Sequence, residues 1–143
     1  MFKTFLAAIL AAFVLTACEM QPVTAAAAPK PRQQSRTFVL FFDFDRATLT
    51  PGALNIVKEA ANAAKASGNA RIICTGHTDS SGAPAYNTAL SLRRASAVKE
   101  ALVRDGVPDA SIDVLGRGED ALRVTTGDAK REPQNRRVEI VLQ

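Results

Sequence analysis

The residues best equipped for chemistry lie in one stretch, GHTDSSGAPAYNTALSLRRA, from Gly76 to Ala95. It holds the chain's only histidine, His77, two residues before Asp79, and it closes on the pair Arg93-Arg94. A zinc centre needs three or four protein ligands, and a His/Asp nucleophilic system needs a Ser or Cys placed beside it. One histidine with unlinked hydroxyls meets neither requirement, so no catalytic residue and no metal ligand is expected, and His77 reads as a hydrogen-bonded residue shaping a loop. Asp79 and Arg94 offer something else. A guanidinium cannot shed its charge by losing a proton, so one held near an apolar face needs an anion and several acceptors around it. An internal ion pair of Arg94 with Asp79 or Asp43 would satisfy that need. Equally, Asp79 and Arg94 can hold an ammonium and a carboxylate that belong to one ligand.

The elements that must position these groups follow from periodicity. Ala70–Thr75 contains the apolar run Ile72-Ile73-Cys74 and reads as a buried strand; Ser80, Ser81, Gly82 and Pro84 then make a polar loop. On the helix that follows, Tyr86, Leu90, Ala97, Val98, Ala101 and Leu102 recur at three- and four-residue spacings and form one apolar stripe, with Arg94 inside it. This helix should end near Gly106 and Pro108. Upstream, Thr37–Asp43 is a Phe- and Val-rich run expected to be a strand covered on both faces. Thr50 caps a helix with Pro51 in its first turn and Leu54, Val57, Ala61 and Ala64 facing inward until Gly68. The two strands and the helix between them read as a right-handed βαβ unit. Downstream come a strand at Ser111–Leu115, a polar segment from Asp120 to Gln134 with little periodicity, and a last, antiparallel strand at Arg136–Leu142. Alternation puts Arg136 and Arg137 on opposite faces, so at most one points towards the site. The expected fold is α+β, a two-layer domain with a mixed four-stranded sheet and two main helices on one face.

Ahead of this domain the composition changes twice. Lys3 followed by the apolar run Phe5–Leu15 is too short for the ~20 residues of a membrane span and reads as a secretory signal over residues 1–17. It ends in Leu15-Thr16-Ala17-Cys18, which resembles the bacterial lipobox; the resemblance implies lipidation of Cys18 and an acyl anchor in a membrane. Residues 18–36, rich in Ala, Pro and Gln, read as a flexible tether whose ends lie ~20–25 Å apart on average and ~60 Å apart when pulled straight. Cys74, the only other cysteine, then has no intramolecular partner and reads as a small buried apolar residue. The chain of 143 residues carries 18 Lys and Arg against 14 Asp and Glu, a formal charge of +4. Lys58, Lys65 and Lys99 are spread along helices among acidic neighbours and not clustered with aromatics, which argues against a nucleic-acid partner and for a solvated surface.

Five blocks taken together then resemble a family: Phe42-Asp43-Phe44-Asp45, GHTDSSGAPAYN from Gly76 to Asn87, LSLRRA from Leu90 to Ala95, GRGE from Gly116 to Glu119, and NRRVEI from Asn135 to Ile140. In this order, across residues 37–143, they resemble the OmpA-like peptidoglycan-binding domain, and with the lipobox and tether the whole chain is similar to peptidoglycan-associated lipoproteins. One departure is visible: where the family usually has a proline three residues after the Glu, this chain has Leu122. The resemblance implies that the domain binds the diaminopimelate side chain of the peptidoglycan stem peptide, with Asp79 and Arg94 as principal ligand residues. Diaminopimelate keeps an ammonium and a carboxylate on one carbon, for which a carboxylate and a planar guanidinium are complementary partners. Asn87, two helical turns before Arg94, lies on the same face and can add a hydrogen bond. Thr78, Leu90, Asp43 and Arg136 match family positions that line or support the pocket.

The resulting expectation is a non-catalytic tether with no cofactor, lipid-anchored in the outer membrane at Cys18 with its domain facing the periplasm and gripping peptidoglycan. The rival expectation is a protein-interaction module, such as a partner of Tol-system proteins or an envelope scaffold, with wall binding secondary.

Overall fold

The structure, a computed structural model, describes residues 35–68 and 70–143. The secretory signal, the lipidation of Cys18 and the tether up to residue 34 lie outside the described residues. Four strands, β1 (Arg36–Phe41), β2 (Ile72–Gly76), β3 (Ile112–Gly116) and β4 (Arg137–Leu142), and two helices, α1 (Pro51–Ala66) and α2 (Pro84–Arg104), alternate along the chain. The sheet order is β1-β4-β2-β3, with β4 antiparallel to both β1 and β2 and with β2 parallel to β3. Both helices cover the same face, α1 against β1 and α2 against β2 and β3. This is the expected two-layer mixed sheet, including its antiparallel last strand.

Two expectations need correction. The β1–α1–β2 unit is split, because β4 inserts between β1 and β2. β1 is an edge strand, and because both helices pack on one face of the sheet its other face has no helix over it; only Leu40 in it is fully buried while Phe41 is 45% exposed. Both helical stripes are also narrower than read. Thr50 does cap α1, its hydroxyl accepting from the Ala53 N–H at 3.2 Å, and Pro51 follows it. The inward set is Ala53, Val57, Ala60, Ala61 and Ala64, and Leu54, one position off that stripe, is exposed. On α2, Leu90, Val98, Ala101 and Leu102 are buried, Ala97 is half-buried, and Tyr86 projects outward.

The core beneath the helices contains Leu40, Val57, Ile72, Val98, Leu102, Val138 and Ile140, each fully shielded from water. At about 1.5–3 kcal/mol per buried aliphatic side chain, this layer is the main source of stability. Cys74 sits in it, its thiol pushed up to about 12 by burial, as befits an inert core residue.

The contact that sets the site is backbone-to-backbone. Gly76 and Gly116 are register partners at the ends of β2 and β3. A Cβ on Gly76 would lie 1.9 Å from the Ser91 carbonyl oxygen, and one on Gly116 2.9 Å from the Leu92 nitrogen. Two adjacent glycines thus let α2 press directly on the sheet edge at Ser91. That contact fixes the height of Leu90 and Arg94 above the loop that leaves β2.

Candidate functional site

Where β2 ends, residues 77–82 turn away from the sheet and form one wall of a cleft of about 190 Å³; its lining includes Phe44, Thr78, Asp79, Leu90, Arg94 and Arg136. The wall is built by side-chain-to-backbone bonds. The Asp79 carboxylate accepts from the Ser81 hydroxyl at 2.6 Å and the Ser81 N–H at 3.4 Å, the pattern of an Asp-initiated turn. Its second oxygen accepts from the Glu132 N–H and from Arg136, each at 3.2 Å. Burial pushes the Asp79 carboxyl up, but the bonds from Ser81, Arg136 and Glu132 outweigh it and hold the group below its usual range. Asp79 is therefore a firmly charged anion in a buried wall.

Arg94 is fully buried. Its guanidinium donates to three backbone carbonyls: Nε to Arg46 at 2.8 Å, and the two terminal nitrogens to His77 at 2.9 Å and Asp43 at 3.1 Å. The Phe42 ring lies 5.3 Å from its central carbon. Neither internal ion pair anticipated for it forms: Asp79 pairs with Arg136, and Asp43 turns its side chain outward while its carbonyl faces Arg94. Three of the five N–H groups of a guanidinium are thus spoken for, and its charge has no bonded carboxylate among the described residues. Burial, with repulsion from Arg136, lowers its pKa to about 10, so it remains a cation at neutral pH.

The other expected residues take distinct places. Asn87 is buried and spends its amide nitrogen on the carbonyls of Asp79 and Gly82, both at 3.2 Å, and on the Glu119 carboxylate. It clamps the Asp79 loop to α2. Thr78 is held by its backbone N–H to Gly118 at 2.8 Å, and its buried hydroxyl has no partner in the described structure. Leu90 gives the cleft an apolar patch. Arg136 faces the cleft whereas Arg137 packs by His77 and Glu139, so the two arginines do part as alternation requires. The site residues missed from the sequence are Asp45, Ser80, Ser81 and Glu132. The Asp-x-Ser spacing of Asp79 and Ser81 is a turn signal that points to Ser81. Ser80 and Glu132 join through the segment after Glu119, which carries no periodicity to place it.

His77 is 3% exposed, and both ring nitrogens lack a hydrogen-bond partner in the described structure. Burial, then the nearby Arg137, pulls its pKa down to about 4. It is a neutral imidazole within the wall, with its backbone doing the bonding. Among the described residues there is no cluster of three or more His, Cys, Asp or Glu that could hold a metal ion. A larger groove of about 510 Å³ lies elsewhere, lined by residues that include Lys65, Val107 and the surface pair Arg71–Asp113. Arg71 and Asp113 pair with each other, and Lys65 donates to the Asp105 carbonyl at 2.9 Å.

The fold and cleft define a class: a two-layer domain with a split βαβ unit whose loop after β2 meets α2 around a buried arginine. The model of the OmpA family matches residues 41–136, and the chain belongs to that family. An outer membrane protein of Gluconacetobacter diazotrophicus is 50% identical over 121 residues, covering 80% of this chain and 31% of that protein. The peptidoglycan-associated lipoprotein of Pseudomonas putida is 39% identical over 100 residues, covering 70% of this chain and 60% of that one. This chain therefore spans less than two thirds of the length of these curated relatives. The crystal structure of the peptidoglycan-associated lipoprotein from Burkholderia pseudomallei superposes with a TM-score of 0.69 at 31% identity, covering 74% of this chain and 90% of that one. No helix among the described residues is long and apolar enough to cross a membrane.

Proposed function

We propose that the chain is a non-catalytic tether of the cell envelope whose cleft holds the diaminopimelate side chain of peptidoglycan stem peptides. One observation carries the reading: Arg94 is a buried cation oriented by three carbonyls and left without a bonded carboxylate. An unmatched buried charge costs several kcal/mol, and a ligand carboxylate reaching the two remaining N–H groups offsets that cost. Asp79 supplies the complementary anion for an ammonium on the same ligand carbon, the Thr78 hydroxyl adds a free donor or acceptor, and Leu90 contacts the methylene chain. Asn87 and Arg136 hold Asp79 in place, and Asp43 acts through its carbonyl on Arg94. Relatives named outer membrane protein and peptidoglycan-associated lipoprotein support an outer-membrane location with the anchor at Cys18.

Co-sedimentation of the full chain with purified sacculi tests this. The unaltered chain should pellet, and Asp79→Asn and Arg94→Ala should each weaken retention at least tenfold, the loss expected for a charge-assisted hydrogen bond of about 1.5–3 kcal/mol. Unchanged retention in Asp79→Asn would remove the assignment without ambiguity over folding, because a variant that binds as well as the unaltered chain is folded. No soluble muropeptide should appear in the supernatant.

A further inference from the structure

Beside the cleft the surface carries an arc of alternating cations and rings. The Arg131 guanidinium lies 3.9 Å from the centre of the Phe44 ring, and that of Arg93 lies 5.6 Å from the centre of the Tyr86 ring. Asp45, next to Phe44, accepts the Tyr86 hydroxyl, which closes the arc into one run: Arg131, Phe44, Asp45, Tyr86, Arg93. Phe44, Asp45 and Tyr86 line the cleft. Phe44 and Tyr86 are 41% and 45% exposed, too much for core residues. At 3.9 Å Arg131 stacks on Phe44, which uses the face of its guanidinium and leaves the in-plane N–H groups pointing outward, while Arg93 lies near the Tyr86 ring as a further cation. Neither Arg93 nor Arg131 has a carboxylate partner among the described residues. Nor is Arg131 on a loose loop. Its neighbours on both sides are bonded to the wall of the cleft, Lys130 N–H to the Ser80 hydroxyl and Glu132 N–H to Asp79, each at 3.2 Å.

We propose that this arc is a second subsite, in which Arg131 receives a backbone carboxylate of the same stem peptide whose diaminopimelate side chain enters the cleft, with Arg93 at the far end of the arc adding positive charge. The inference rests on the peptidoglycan reading and extends it from one side chain to the peptide that bears it. A γ-linked glutamate beside the diaminopimelate leaves its α-carboxylate free, within one residue of the cleft. The in-plane N–H groups of a ring-stacked guanidinium match such a group in geometry and charge.

The test is calorimetric titration of the full chain with the tripeptide L-alanyl-γ-D-glutamyl-meso-diaminopimelate and with the same peptide amidated at the glutamate α-carboxylate. The unaltered chain should favour the acid over the amide five- to tenfold. That preference should vanish in the Arg93→Ala, Arg131→Ala double variant, with affinity for the amide and the melting temperature unchanged. Equal binding of acid and amide by the unaltered chain, or a preference that survives in the variant, overturns the rim subsite and leaves the Asp79–Arg94 site standing. Binding of neither peptide overturns both.

Discussion

Arg94 in the cleft and Arg137 in the cluster around His77 are both buried arginines, and both are tied to His77, yet each is stabilised differently. Arg137 pairs with the Glu139 carboxylate at 2.7 Å and donates to the Ala121 carbonyl at 3.3 Å; its own carbonyl accepts the His77 N–H at 2.8 Å. Arg94 donates to the His77 carbonyl and to two others, and to no carboxylate. A carboxylate neutralises a guanidinium and closes the account locally. Carbonyl dipoles orient it and leave its charge to act on whatever enters. The difference separates a cation neutralised within the structure from one left without a bonded carboxylate, although burial alone makes the two look alike.

Three changes test that contrast. The largest effect is expected from Arg94→Met, which removes the donor shared by the carbonyls of Asp43, Arg46 and His77 and so unties the loop after β1 from the wall after β2. A loss of about 4 kcal/mol in urea denaturation is expected for three orphaned, partly shielded carbonyls; a loss below about 1 kcal/mol would mean that the carbonyl clamp does not hold the loops. Next comes His77, whose pKa falls from 6.5 unfolded to about 4 folded. Below pH 6.5 the unfolded chain takes up a proton that the native chain refuses, so this stability is fully present above 6.5 and is lost as the pH falls towards 4. At about 1.4 kcal/mol per pH unit the difference is about 3 kcal/mol. Denaturation of His77→Gln at pH 7 and pH 4 should show a shallower acid loss by that amount, and parallel curves for the two proteins would contradict it. Smallest is the double change Arg137→Met, Glu139→Leu, which removes both partners of the ion pair. It should alter stability by about 1 kcal/mol or less and leave sacculus retention unchanged. A retention loss would show that Arg137 serves the cleft and would erase the contrast.

The sequence is legible where the physics is local. Thr50 and Pro51 start α1, Gly68 ends it at a φ of +78°, and Arg94 falls in the buried stripe of α2 between Leu90 and Val98. What escaped is what depends on distant chain. β1 reads as doubly covered because Phe and Val do not say how many layers will cover the sheet, and both helices pack on the same face of it. Leu54 and Tyr86 fit an apolar stripe by spacing, but each falls at its margin, where a helix turns its side chains outward. The acceptors of Arg94 are backbone atoms of Asp43, Arg46 and His77, and no side-chain pattern announces a carbonyl. The segment from Asp120 to Gln134, with Leu122 in place of the usual proline, lacks periodicity because it is held by single side chains. Asn135 bonds both backbone groups of Val124, at 2.8 and 2.9 Å, and Ser80 receives the Lys130 N–H while donating to the Gly127 carbonyl.

The placement of β1 has a mechanical consequence. Arg36 pairs with Leu142 at one end of the sheet, and Phe41 pairs with Arg137 at the other, beside the cleft. A pull entering at Arg36 against a ligand held in the cleft runs along the strand axis. The hydrogen bonds between β1 and β4 lie across that direction, so they are strained in shear, all together, and cannot be peeled one at a time like a zip. An edge strand that looks weak by burial is thus oriented to withstand tension between Arg36 and the cleft.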